Sequence, residues 1–412
     1  MPLSRLVLIA IGASIGAFGW AAWPIYGFMA FGGDAPLPPV GWLVVPQDAP
    51  SDGRTQDRRY AAAGAEALAA LETRRARIGA PAMSAAVAID GEVVWAAAVG
   101  WADLPTRTPA TPDTIFRVGS TSKALTATAL ARMVDRGTID LDAPLATYMP
   151  DPRNPGWATI TPRQLASHTA GIAHYGDNTD GWGKLKTAAL NVRYEDVRDA
   201  LDVFDGSEML FAPGEGFSYS SLGTVLLGAV MSEAAGEPYR AVMAAEVFEP
   251  ADAASTIVSP RRSSPTDDIA TPYYLGDGRV RAWRAVDLSH RLPGGGWAST
   301  PTDLVRIGAL WFDEDFITPE TRAEFWTPQR LNDGAVNEQN YAVGWRWRDG
   351  DGSEFWLADN ANHGGVSRGG QCWLLIFPED EMVLAFATNV KTEDFVDFGQ
   401  AYADLYRAFV EE

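Results

Sequence analysis

The chain has 412 residues, 47% of them hydrophobic, enough to bury a large core in one big domain or two lobes. Its 53 Asp and Glu outnumber its 33 Lys and Arg, for a net charge of −20. So acidic a surface argues against a nucleic-acid partner and against adhesion to anionic lipid through a basic patch. The single cysteine, Cys372, rules out an intramolecular disulfide. It lies in the apolar run Gly370-Gln-Cys-Trp-Leu-Leu-Ile-Phe377, where it reads as a buried small hydrophobe.

From the N-terminus, Leu6 to Phe31 carries no charge and is mostly apolar, long enough to span a bilayer. Arg5 before it and Asp34 after it suit an N-in, C-out orientation. Residues 1–32 are therefore expected to be an uncleaved signal anchor. Cleavage near the small-x-small Ala30-Phe31-Gly32 is the alternative. Either way the folded part is expected to face the periplasm or exterior, with the membrane as a partner through this segment. Residues 33–57 contain Pro36, Pro38, Pro39, Pro46 and Pro50 and read as an extended linker.

Beyond the linker, Arg58 to Gly79 is rich in Ala, Leu and Arg and predicts a helix ending at a glycine. Ser84–Ile89 and Glu92–Val99, joined by Asp90-Gly91, predict a β-hairpin. Ile160 to Gly171 predicts a short helix with Pro162 at its first position. Gly176 to Gly183 reads as a loop, while Arg193–Val203, Leu222–Ala235 and Thr302–Phe312 read as helices. Tyr341–Trp347, Trp373–Phe377 and Met382–Ala387 read as strands, and Glu393–Val410 as a closing helix. Strands at both ends with helices between them predict an α+β fold, a sheet carrying an inserted helical lobe. The lobes would be about 58–118 with 335–412, and about 119–334. A site is expected between them.

Chemistry concentrates at Phe116-Arg-Val-Gly-Ser-Thr-Ser-Lys123, where Ser120 and Lys123 stand three apart at the head of a helical run. Residues at i and i+3 share a helix face, so the ammonium can reach the hydroxyl. A helix N-terminus also favours negative charge developing on the serine oxygen. Only four lysines occur in the chain (Lys123, Lys184, Lys186 and Lys391), which makes one beside a serine more informative. The bland alternative is a capping serine and a solvated lysine. A Ser-His-Asp site would need Gly-x-Ser-x-Gly, and Gly119-Ser120-Thr121-Ser122 lacks the second glycine. A zinc site has no His-Glu-x-x-His, so no metal and no cofactor is expected.

Six pieces in order complete the pattern. They are the Ser120 stretch, Gly137-Thr-Ile-Asp-Leu-Asp-Ala-Pro144, Leu165-Ala-Ser-His-Thr-Ala-Gly-Ile172, Pro213-Gly-Glu-Gly-Phe-Ser-Tyr-Ser-Ser-Leu-Gly223, Gly294-Gly-Gly-Trp-Ala-Ser-Thr300 and His363-Gly-Gly365. Together they resemble the serine β-lactamase-like hydrolases: class C β-lactamases, D-Ala-D-Ala carboxypeptidases, and related esterases and aminopeptidases. The resemblance implies a β-lactamase/transpeptidase-like fold over residues 58–412. It implies Ser120 as acylated nucleophile, Lys123 as base or proton relay, and Tyr219 as proton-transfer partner with its phenolate favoured by nearby cations. His363 would stand where the family has a lysine, with Gly364 and Gly365 letting substrate approach. The N–H groups of Ser120 and Val366 would form the oxyanion hole. His168 would belong to a scaffold turn, and His174 and His290 take no role.

Two departures bear on substrate. Ser221 replaces the family's usual asparagine, offering one donor rather than two for a substrate amide. His363 replaces a permanent charge by a group that titrates near neutrality. Both favour an ester or peptide-like amide, from a small molecule or a peptide, over β-lactams. A true class C-like β-lactamase, or a non-catalytic penicillin-binding or sensor protein keeping the fold, are the other readings. Oligomeric state is not legible.

Overall fold

The computed structural model describes residues 23–32, 34–261, 268–351, 353 and 355–410. In chain order its principal elements are β1 (Ser51–Thr55), α1 (Ala61–Ile78), β2 (Ala82–Ile89), β3 (Glu92–Asp103), α2 (Ser122–Asp135), α3 (Ser221–Ala235) and α4 (Pro301–Ala309). They continue with β4 (Arg346–Arg348), β5 (Asn360–Ser367), β6 (Gly370–Phe377), β7 (Met382–Thr388) and α5 (Phe395–Val410). The strands form one antiparallel sheet in the order β4-β5-β6-β7-β2-β3-β1. The two chain ends meet at its centre, where Leu384 of β7 lies opposite Val87 of β2. This is the antiparallel sheet with flanking helices that the sequence predicts.

Period-two alternation decides which side chain meets which layer. Met83, Ala85 and Val87 of β2, with Leu375, Phe377, Leu384 and Phe386, join the core beneath α1 and α5. Their neighbours Ala82, Ala86, Ala88, Leu374, Ile376, Val383 and Ala385 join the opposite core, shared with α2, α3 and α4. Cys372 is fully buried in that second core, and burial pushes its thiol up to about 12. In α3 every residue from Ser221 to Ser232 is buried, which explains why that stretch is free of charge and mostly apolar.

The N-terminal region departs from the expected anchor and spacer. Residues 1–22 of the anchor lie outside the described residues. Among the described residues no helix is long and apolar enough to cross a membrane. Residues 23–32 form a helix that packs on the rest of the protein: Phe31 stacks on Trp283 with ring centroids 4.4 Å apart, and Ala30 is buried. The proline-rich stretch supplies two strands. Trp42–Leu43 pairs with Arg279–Ala282, and β1 extends the main sheet beside β3.

Three other elements differ for local reasons. The expected helix Arg193–Val203 shrinks to a 3₁₀ turn at Asp199–Val203, because the Asp196 carboxylate accepts the Arg198 N–H at 2.9 Å and competes with the helical ladder. The expected loop Gly176–Gly183 gives way at its end to a helix, Gly181–Ala189, capped by Asp180, which accepts the Gly183 N–H. Tyr341 is outside any strand, because the Asn337 side chain takes its N–H at 2.8 Å and its carbonyl at 2.7 Å. Only Arg346–Arg348 of that segment is strand.

Candidate active site

Ser120 sits in a single 3₁₀ turn, Gly119–Thr121, that runs straight into α2. Gly119 holds φ +55°, and a Cβ there would come within 2.6 Å of the Val366 carbonyl carbon. Only glycine fits both the conformation and the approach. The turn is pinned to β5 by Thr121, whose hydroxyl donates to the His363 carbonyl at 3.1 Å. Ser120 is half-buried in a turn whose neighbours are buried.

Lys123, one helical turn on, is 2% exposed. Its Nζ donates to the Gly294 carbonyl at 2.7 Å and to Ser221 Oγ at 2.8 Å, and lies 3.4 Å from Ser120 Oγ. Burial, then the Arg346 and Arg291 charges, hold its pKa well below the usual lysine range. A neutral amine has two N–H groups and one lone pair. With the N–H groups taken by Gly294 and Ser221, the lone pair is left for the Ser120 hydroxyl.

Tyr219 precedes α3, whose N-cap Ser220 accepts the Gly223 N–H at 2.9 Å. Its ring lies under Lys123 Nζ at 4.7 Å and under the Arg346 guanidinium at 5.2 Å, and its hydroxyl is directed toward Ser120 and Arg346. The resemblance implied a phenolate favoured by these cations. Burial outweighs Arg346 and raises the Tyr219 pKa, so the group is a neutral phenol.

His363 also differs from expectation. It is fully buried, with Nδ1 2.8 Å from the Gly364 carbonyl and Nε2 2.8 Å from the Tyr341 hydroxyl. The carbonyl can only accept, so Nδ1 carries the proton and Tyr341 donates to Nε2. Burial, then Arg346 and Lys123, push its pKa well down, so it stays neutral instead of titrating near neutrality. Ser221 Oγ faces Lys123 and not open space. Val366 is exposed at the strand edge, and the N–H of Ser120 lies beside Gly365. A Cβ on Gly365 would fall 1.9 Å from the Val118 carbonyl oxygen and 2.8 Å from Ser120 N. Gly365→Ala is expected to displace the Ser120 N–H and cut turnover roughly 10²–10³-fold, read from kcat on an activated ester with the fold checked by circular dichroism.

Sequence reading missed three contributors, Arg346, Tyr341 and His174, whereas His168 lies in a turn, as expected. Arg346 covers the rings of Tyr219 and Tyr341, the latter at 5.0 Å. Tyr341 holds His363, His174 Nδ1 accepts the Ser221 N–H at 3.1 Å, and His168 Nδ1 accepts the Ser220 N–H at 3.3 Å. The one signal for the histidines was their scarcity, four in the chain. Arg346 depresses both Lys123 and Tyr219. Arg346→Gln is therefore expected to raise both, moving the acid and alkaline limbs of the kcat/KM–pH profile to higher pH.

An antiparallel sheet backed by helices, with Ser120 and Lys123 where its edge meets the helical layer, defines a β-lactamase-related serine hydrolase. The chain belongs to the Beta-lactamase family, whose profile matches residues 68–408. Human mitochondrial serine beta-lactamase-like protein LACTB is 26% identical over 384 residues, covering 74% of this chain and 70% of that protein. Esterase EstB of Burkholderia gladioli is 33% identical over 219 residues, 50% of this chain and 53% of that one. The D-amino acid amidase of Ochrobactrum anthropi SV3 shares the fold with a TM-score of 0.70 at 23% identity, over 85% of this chain and 98% of that one.

Proposed function

We propose that the protein hydrolyses an ester or peptide-like amide through an acyl-enzyme on Ser120. The observation that carries this reading is the placement of Lys123 Nζ: two short acceptors occupy its N–H groups and the third direction faces Ser120 Oγ. Neutral Lys123 takes the hydroxyl proton as Ser120 Oγ bonds to the substrate carbonyl carbon. The N–H groups of Ser120 and Val366 receive the oxyanion. The bond to the leaving group then breaks, and the leaving atom takes a proton passed from Lys123 through the Tyr219 phenol. Water attacks the acyl carbon in turn, the acid departs, and Ser120 recovers its proton. Ser221 and His363 act as positioning residues, the first for Lys123 and the second, with Tyr341, for β5.

The esterase and D-amino acid amidase relatives support ester and amide substrates, with D-amino-acid-containing or cell-wall-related ones among them. The absence of the usual asparagine at Ser221 and the neutral His363 leave β-lactam hydrolysis as the lesser reading. Incubation with a fluorophosphonate, a nitrophenyl ester, a D-Ala-D-Ala peptide and a chromogenic cephalosporin tests this. One probe adduct on Ser120 and turnover of the ester or peptide are expected. A protein that folds but reacts with none of the four is instead a binding protein. A position outside the cytoplasm rests only on the uncharged sequence from Leu6, whose end at residues 23–31 packs on the folded part, and protease access in intact against lysed cells tests it.

A further inference from the structure

Next to Val366 the surface opens into a cavity of about 900 Å³ whose lining includes Phe31, Tyr175, Trp283, Arg291 and Arg368. It starts close to the serine, since the Val366 backbone packs directly on Gly119. Its lining carries four cations (Arg279, Arg291, Arg368 and Lys391) against two carboxylates (Asp277 and Glu393). That is a positive basin in a chain of net charge −20.

The two inner arginines are held without an acid partner among the described residues, as Arg346 over Tyr219 also is. Several other guanidinium groups meet acids, as Arg74 meets Asp404 at 2.5 Å and Arg163 meets both Asp142 and Glu324 at 2.7 Å. Arg291 and Arg368 form no such ion pair among the described residues and instead lie on aromatic rings. Arg291 is 4.4 Å above Tyr175; Arg368 is 5.9 Å from Trp283 and 5.4 Å from Phe28. Arg291 is only 9% exposed and spends its Nε on His290 Nε2 at 3.1 Å. Its Nη2, the Arg368 Nε and the Tyr175 hydroxyl are all buried without a partner among the described residues. Three unpartnered polar atoms belong to residues that line one cavity, and a polar ligand reaching them would offset the cost of burying them unpaired. Burial, then the neighbouring Arg291, lower the Arg368 pKa to about 10, against a smaller opposing pull from Tyr175.

We propose that this cavity is the acyl-group subsite and takes an anion: the substrate's acyl portion carries a carboxylate or phosphate gripped by Arg291 and Arg368 over the aromatic wall. The assignment rests on the acyl-enzyme reading of Ser120. The leaving group must meet Tyr219 and Lys123 to collect its proton, so the acyl portion runs the other way, past Val366 along β5. The aromatic wall includes Phe31 from the N-terminal helix, so residues 23–32 help shape specificity.

The test compares nitrophenyl esters on the full chain: a half-ester of a dicarboxylic acid, an analogue with a phosphonate in place of the carboxylate, and the neutral methyl ester of the first. The expected result is a kcat/KM preference for an anionic ester over the neutral one, with the better anion identifying the group. In Arg291→Gln and in Arg368→Gln that preference is expected to fall roughly ten- to hundredfold, with partial recovery in Arg291→Lys. Taking the ratio within each variant removes any effect of Arg291 on Lys123. A wild-type protein that cleaves the neutral ester as well as both anions overturns the proposal, as does a preference that survives in both variants. Turnover persisting in Ser120→Ala would instead defeat the acyl-enzyme reading, an outcome the anion ratios do not produce.

Discussion

Ser120→Ala is expected to abolish fluorophosphonate labelling and to lower kcat on an activated ester by roughly 10⁴-fold or more. The other serines nearby are already engaged. Ser122 Oγ donates to the Gly119 carbonyl at 2.7 Å, Ser220 Oγ to the Ala173 carbonyl at 2.9 Å, and Ser221 Oγ is held by Lys123. Ser120 alone combines partial exposure, a helix N-terminus and a basic amine within reach. The substitution removes one oxygen and keeps the turn, so stability should change by no more than about 1 kcal/mol. Loss of activity with an unaltered melting curve is the signature of a chemical role. Labelled Ser120→Ala protein would place the nucleophile elsewhere.

Lys123→Met is expected to lower kcat roughly 10²–10⁴-fold, the range for loss of a general base. Methionine matches the lysine stem in volume but leaves the Gly294 carbonyl and Ser221 Oγ without their donor, at a cost of about 1–3 kcal/mol. A second variant separates the two effects: Lys123→Arg keeps donors but cannot give up its proton near neutrality, so it should be equally inactive. The pH dependence has a definite sign. The folded-state pKa of Lys123 lies below the unfolded value, so between the two the unfolded chain binds the extra proton. Stability from this group therefore rises with pH across that window and is lost as pH falls to the folded pKa. The acid limb of kcat/KM should track the same depressed pKa and vanish in Lys123→Met. An acid limb unchanged in that variant would assign it to another group.

The legible part of the fold was whatever a local period or a local stop could encode. Asp90-Gly91 between two apolar runs placed the β2–β3 hairpin, and Gly79 ended α1 where its φ of +66° requires. The apolar run after Tyr219 was α3. Failures came where a side chain outbid the backbone: Asp196 broke a helix, Asn337 took Tyr341 out of a strand, and Asp180 started a helix in a segment that read as loop. At the N-terminus, apolarity signalled burial without saying in what. Phe31 and Trp42 meet aromatic residues of this same chain.

By itself the sequence determined that Ser120 and Lys123 share a helix face, because i and i+3 do so in any helix. The order of its motifs also marked the family. Tertiary structure alone decided the protonation states and partners. Whether Lys123 is charged depends on burial and on Arg346 and Arg291, which lie far away in the chain. Tyr219 is a neutral phenol because desolvation exceeds the attraction of Arg346, a balance of two opposing terms that no motif records. His363 is withdrawn from solvent because Tyr341, brought back by the turn at Gly344, holds its free nitrogen. Spacing is a property of the chain, whereas field and desolvation are properties of everything packed around it.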